Sequence, residues 1–279
     1  MSPPETLPDR AAMARMASLP MYLAHRPASD ALWELLRQAL AAHGVGHLPA
    51  ALTWPENYHA HWLAPELLFS QTCGYPLTHA LAGQVQLVGC FAYGAPQCEG
   101  IACRSVLVAR SEHAHWALEG FRGLRVAFNA PDSQSGFNAL RALVAPLAQD
   151  GRFFASALAT GSHSASVAAV CAGQADLAAI DCVTYAALQR YTPQATQGVC
   201  VIGTTEAYPG LPLVSARATS VAEVALLQQA LRTVVADPLA ASTLEALGIT
   251  GFETPDLGVY QRCVEMRASA EALGYISLD

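Results

Sequence analysis

Between Phe121 and Cys182 the chain twice sets a short serine- and glycine-containing turn between an alternating apolar run and a helically spaced one. Ser133-Gln134-Ser135-Gly136 follows Leu124, Val126 and Phe128, whose alternation reads as a strand. It precedes Phe137, Leu140, Leu143 and Val144, whose spacing reads as a helix. Thr160-Gly161-Ser162-His163 repeats the arrangement between a strand over 153–158 and a helix through Val167 and Val170. A strand that enters a helix through such a turn leaves backbone N–H groups without acceptors and points the positive end of the helix dipole outward. That geometry binds anions. Serine and aspartate are also the ordinary N-cap residues, so each turn alone has a purely structural reading. Asp181, behind a strand over 175–180, has two readings as well: acceptor for a ligand hydroxyl or amine, or cap of the next helix.

Other reactive side chains form weaker patterns. Cys73, between Thr72 and Gly74 at a helix start, has the setting of a thiolate nucleophile or of a small buried hydrophobe. His59 and His61, and His113 and His115, are spaced to share a face of a strand, but no carboxylate or cysteine set completes a metal site. No metal and no cofactor is expected. The eight cysteines contain no CxxC pair; Cys98 and Cys103 are close enough to bridge across a loop.

The elements that must position these residues alternate strand and helix. Strands are expected near 19–23, 49–53, 67–69, 85–93, 105–109, 199–203 and 213–216, besides those named above. A helix capped by Ser29 and Asp30 carries Leu32, Trp33, Leu36 and Leu40, and helices at 220–236, 238–247 and 256–270 finish the chain. The class is α/β with mostly parallel sheets, in which ligands sit beyond the carboxyl ends of strands. The turns at 71–75, 132–136, 161–163 and 181–182 all fall at such ends.

Composition excludes several chemistries. The chain has 279 residues, is 53% hydrophobic and 13% charged, and carries a net charge of −7. Its fifteen basic residues are all arginine. Without lysine there is no Walker-A phosphate contact and no Schiff base to pyridoxal phosphate. An acidic balance without a basic run argues against nucleic acid as a partner. The opening MSPPETLPDRAAMARMASLP has no apolar core of a secretory signal, and residues 1–17 read as an exposed tail.

SQTCGYP (70–76), VAFNAPDSQSGFNALRAL (126–143), GSHSASVAAVCAGQADLAAIDC (161–182) and PGLPLVSA (209–216) together resemble the phosphonate/phosphate-type solute-binding proteins of ABC importers. The likeness runs from about residue 18 to 250. It implies the two-lobed type 2 periplasmic-binding fold, with lobe I formed by 1–108 and 207–279, lobe II by 109–206, and two crossover hinge strands. It implies an oxyanion, phosphate or phosphonate, held by Ser133, Gln134, Ser135 and Gly136, with Ser162 and His163 donating from the next turn. Tyr22, Gln71, Thr72 and Tyr75 would close from the first lobe, and Asp181 would read a donor on the ligand. The partners implied are the small anion and an ABC permease, with the chain a monomer in the periplasm. The family often writes its first turn NDPNS, whereas this chain has Asn129-Ala130-Pro131-Asp132-Ser133. A cytoplasmic enzyme on the same fold, using Cys73, His163 or Asp181 on a small carboxylate, and a cytoplasmic anion sensor are the alternatives.

Overall fold

Thirteen strands are found among the described residues, 14–22 and 25–278 of a computed structural model. They are β1 (Met16–Ser18), β2 (Leu67–Gln71), β3 (Val85–Tyr93), β4 (Cys98–Glu99), β5 (Ala102–Cys103), β6 (Ser105–Arg110) and β7 (Arg125–Phe128). The chain continues with β8 (Ser156–Ala159), β9 (Leu177–Asp181), β10 (Val199–Thr204), β11 (Tyr208–Pro209), β12 (Pro212–Ala216) and β13 (Ile249–Glu253). One five-stranded sheet has the order β1-β2-β12-β3-β13, the other β10-β6-β9-β7-β8, and a small sheet β11-β5-β4 lies between them in sequence. Each large sheet forms the centre of one lobe of an α/β molecule.

The sheets are mixed, not mostly parallel. In the first, only β1 and β2 run parallel; β12 pairs antiparallel with both β2 and β3, and β13 pairs antiparallel with β3. In the second, β7 is parallel to both β8 and β9, while β6 is antiparallel to β9 and β10. The antiparallel pairs of β6, β10 and β12 go with the crossing between lobes: β6 and β12 enter their sheets from it and β10 leaves its sheet into it, without a helix to reverse the chain. The runs expected to be crossovers, 105–109 and 199–203, are full members of the second sheet. The crossing itself lies beside Ser105 and Thr205, where the Thr205 N–H donates to the Ser105 carbonyl (2.9 Å) and the Ser105 N–H to Thr205 Oγ1 (3.0 Å).

Other boundaries moved too. The first strand is Met16–Ser18, not 19–23: its backbone pairs with Leu67–Ser70 and leaves Ala17 and Ser18 fully buried. The following helix is Arg26–Ala42, started by His25, whose Nδ1 accepts from the Ala28 N–H, and not by Ser29, which is buried. No strand forms over 49–53, where Thr53 N–H still reaches the Ala17 carbonyl. Residues 1–13 of the expected tail, and Leu23, lie outside the described residues.

The first lobe buries Leu32, Trp33, Leu36 and Leu40 of helix Arg26–Ala42 against Leu68, Phe69, Val88 and Phe91 of its sheet. The second buries Phe121, Val126, Leu140, Val144, Phe153 and Phe154. That second core also takes in Ala270, Tyr275 and Leu278 from the chain's end, which the sequence grouped with the first lobe. Arg141, itself buried, donates from Nη1 to the Ile276 carbonyl (2.8 Å), and Asn138 Nδ2 donates to the Cys263 carbonyl (3.0 Å). The helix Gln261–Ala272 and the residues after it thus strap the two lobes together. Tyr275→Ala is expected to cost about 3–5 kcal/mol, as for a fully buried aromatic, read as a lower urea midpoint; Tyr275→Phe should cost much less.

Candidate functional site

A cavity of about 420 Å3 lies where three helix starts meet. Each start follows one of the adjacent strands β9, β7 and β8, and their parallel direction puts the three carboxyl ends on one edge. After β7, Ser133 caps a π-helical turn Gln134–Asn138 that runs on into helix Ala139–Val144; its Oγ accepts from the Gly136 N–H at 3.0 Å. After β8, Ser162 caps helix His163–Cys171 and accepts from the Ala165 N–H at 3.1 Å. After β9, Asp181 caps helix Cys182–Tyr191 through Oδ1, which accepts from the Thr184 N–H at 2.9 Å. The caps use part of the first-turn N–H groups, and Cys73 Sγ takes that of Gln134; the others have no intrahelical acceptor and remain as donors.

Ser135 lies at the centre of the cradle. Its Oγ is 2.8 Å from His163 Nε2 and 3.4 Å from Ser133 Oγ, and its carbonyl accepts from Ser105 Oγ at 2.8 Å. Ser105 Oγ also meets the Tyr208 hydroxyl at 2.7 Å, so the cradle is tied to the crossing between lobes. Burial pushes His163 down to about 4, against a smaller opposing effect of the Ala179 carbonyl, and the ring is neutral at pH 7. Among the described residues no carboxylate hydrogen-bonds to His163. Gly136 is required by crowding: a Cβ there would sit 2.0 Å from Asn129 Oδ1 and 3.1 Å from His163 Cε1.

Of the two readings of Asp181 from sequence, the structure shows the helix cap. Oδ1 caps the helix, while Oδ2 accepts from the Tyr22 hydroxyl across the cleft at 3.4 Å. Burial, helped by the neighbouring Cys182, pushes its carboxyl up to about 7. Tyr22 is pushed well above its ordinary value by burial and then by Asp181, so it stays a donor. The cavity edge also carries the exposed Asp132, and among the described residues no arginine lines it. Negative charge in this space therefore has helix ends and neutral N–H and O–H groups to meet it, but no cation.

The opposite wall is apolar. Tyr58 stacks on Trp62 with ring centres 5.7 Å apart, and Pro20, Met21, Pro76 and Leu211 continue the surface. Two hydrogen bonds hold that wall: Trp62 Nε1 donates to the Gln71 carbonyl (2.9 Å), and His61 Nε2 meets Ser18 Oγ (2.8 Å). His61 is thereby committed to the first sheet and does not pair with His59 on a metal. His113 packs at 4.1 Å against Trp116.

Of the residues singled out from sequence, Tyr22, Ser133, Ser135, Ser162, His163 and Asp181 line the cavity. Gly136 lies beneath the cradle. The remaining expected anion-binding residues do not line it. Gln71 Nε2 is turned to the Tyr93 hydroxyl (3.0 Å), Tyr75 stacks on His79 (4.1 Å), and Gln134 donates to Met266 Sδ (3.2 Å). Thr72 is fully buried, and its hydroxyl has no hydrogen-bond partner among the described residues. Cys73 reaches the cavity, yet burial pushes its thiol up to about 11, and its Sγ accepts from the Gln134 N–H at 3.2 Å. It is a buried thiol that bridges the cleft, not a thiolate nucleophile. Sequence reasoning missed Asn129, Asp132, Tyr58 and Trp62 as lining residues; the Asn-Ala-Pro-Asp turn carried a signal for the first two, the aromatic wall none.

Two α/β lobes enclosing a cleft at strand ends define the class of the binding proteins with a type 2 periplasmic fold. Residues 67–260 match the family model described as ABC transporter, phosphonate, periplasmic substrate-binding protein. The chain belongs to that family. A comparison with curated sequences finds no match. Among solved structures it is similar to PhnD1 from Prochlorococcus marinus in complex with methylphosphonate, at TM-score 0.74 and 14% identity over 95% of this chain and 99% of that one. It is similar to XAC2383 from Xanthomonas citri bound to ATP, at TM-score 0.70 and 15% identity over 94% and 98%. A binding protein component of an ABC phosphonate transporter from Pseudomonas aeruginosa aligns at TM-score 0.66 and 15% identity over 95% and 97%.

Gly136→Ala should force Asn129 out of the cradle at a cost of about 1–3 kcal/mol. Thermal unfolding checks this, and an unchanged melting temperature would mean that the cradle is looser than these distances imply.

Proposed function

We propose that the cleft captures a phosphonate-class oxyanion and that the chain presents it to an ABC permease, without catalysing any reaction on it. The observation that carries this reading is the convergence of three helix starts on one cavity that contains serine hydroxyls and no cation. Neutral donors fixed in a low-dielectric cleft replace the water shell of an anion without a lysine or arginine. Residues 109–206 form one closing lobe and 1–108 with 207–279 the other, with the segment after Tyr260 strapped across both. The family's role supports a periplasmic location.

Charge and shape narrow the ligand. Asp132 and Asp181 face the same space, which disfavours a bare dianion and favours a singly charged or zwitterionic phosphonate. The aromatic wall of Tyr58 and Trp62 suits an organic substituent, and the volume lies in the range of about 300–1,000 Å3 common for small-molecule sites. Methylphosphonate in the Prochlorococcus protein and ATP in the Xanthomonas one are both phosphoryl ligands on this fold. The enzyme alternative lacks an activated nucleophile: Cys73 is protonated, and no carboxylate orients His163 for Ser135.

A thermal-shift series with methylphosphonate, 2-aminoethylphosphonate, phosphate, sulfate and malate tests the reading. A ligand at about 100 times its Kd adds roughly 2.7 kcal/mol to stability, and the shift is expected only with the phosphoryl compounds. A shift with malate alone would overturn it. Ser133→Ala combined with Ser135→Ala should weaken the best phosphonate at least about 100-fold, since each hydrogen bond to a charged group contributes roughly 1.5–3 kcal/mol.

Binding should also depend on pH through Asp181. Its carboxyl titrates near 7 in the cleft, and an anion beside it favours the protonated form. Affinity should therefore be full below pH 7 and decline above it, by up to about tenfold per unit. Asp181→Asn keeps a neutral side chain and should flatten that decline. The ratio of wild-type to variant Kd, measured by calorimetry from pH 6 to 9, cancels the ligand's own titration. A constant ratio would remove Asp181 from the site.

A further inference from the structure

Three thiols converge outside the anion cradle. Cys98 on β4 and Cys103 on β5 are directly opposed partners in an antiparallel pair, with sulfurs 3.2 Å apart. Cys182, the first residue of the helix capped by Asp181, brings its sulfur to 3.4 Å from that of Cys98. All three sulfurs lie within 4.8 Å of one another, and no other His, Cys, Asp or Glu among the described residues joins them. Cys103 and Cys182 are 2% exposed, while Cys98 is half-buried and forms the way in. Of the five remaining cysteines, Cys171 is exposed, and Cys90, which lies near Cys103 across Gly210, spends its thiol on the Leu211 carbonyl at 3.3 Å.

We propose that Cys98, Cys103 and Cys182 form a three-coordinate site for a soft monovalent d10 ion, Cu(I). A metal about 2.3 Å from each of three thiolates places the sulfurs about 4 Å apart, so the triad need open by less than an ångström. A disulfide would use two sulfurs and leave the third beside it. Zinc completes a fourth position in its structural sites, and the described residues offer none; an all-sulfur set selects Cu(I) among the common ions. Three Cu–S bonds form, the thiol protons leave to solvent, and no electron is transferred. Cys98 and Cys103 sit on the hairpin between the two large sheets, whereas Cys182 stands at a helix start of the second lobe. The ion therefore links the crossing hairpin to that lobe. This inference does not depend on the identity of the anion.

The test uses the full chain, reduced and kept anaerobic, titrated with Cu(I) against a chromogenic Cu(I) chelator. One equivalent should be withdrawn from the chelator, with thiolate-to-copper charge transfer in the near ultraviolet and three sulfur neighbours by X-ray absorption. Cys182→Ser should weaken uptake more than about 100-fold, beyond the loss seen for outer-shell changes. Cys98→Ser, at the half-buried position where folding is least at risk, should do the same; Cys171→Ser should leave uptake intact. No competitive uptake by the wild type, or equal uptake by a folded Cys98→Ser protein, would overturn the proposal. So would two-sulfur coordination in the absorption spectrum.

Discussion

The cleft depends on one constraint: negative charge must be met where the chain supplies no cation. There is no lysine in the sequence, and among the described residues arginine is absent from the cavity lining. Among the described residues, backbone N–H groups at helix starts are then the densest source of positive potential, and one start rarely suffices. The second sheet concentrates three of them because β9, β7 and β8 are adjacent and parallel, and each ends in a capped helix. The antiparallel strands elsewhere do not disturb this. They carry the chain across the lobes, while the parallel trio builds the site.

That division explains what could be read from the sequence. The Ser133–Gly136 and Ser162–His163 turns announced themselves because a cap is a local event: apolar alternation, a serine, then helical spacing. Asp181 was readable for the same reason. Gln71, Tyr75 and Gln134 were misplaced because local pattern says nothing of which way a polar side chain turns; Gln71 and Gln134 found partners distant in sequence, Tyr93 and Met266. Tyr75 turned to its own helix, onto His79. The strand Ile249–Glu253 was hidden by Gly251 and by its edge position beside β3, where only one side is paired. The strand Met16–Ser18 is three residues long, and the longer apolar run that follows it at 19–23 drew the expected strand past it. The aromatic wall is a tertiary product in the same sense, since Trp62 is oriented by the Gln71 carbonyl and Tyr58 by Trp62.

The cleft is unequal in its two halves. Ser133, Ser135, Ser162, His163 and Asp181 all belong to the second sheet's side, where Ser105 holds the Ser135 carbonyl and helix caps fix the rest. The first sheet's side gives Tyr58, Trp62 and Leu211, and its hydroxyl contribution is Tyr22 on Asp181. Parting of the lobes would separate wall from floor without dismantling either. The polar floor is thus preorganised for the anion before the wall arrives, and the ordering cost of the donors is met in folding. What the wall adds on closing is removal of water, which strengthens each of those hydrogen bonds, and contact with whatever organic group the anion carries. On the proposed reading, affinity for the anion resides chiefly in one lobe, and discrimination among its substituents in the other.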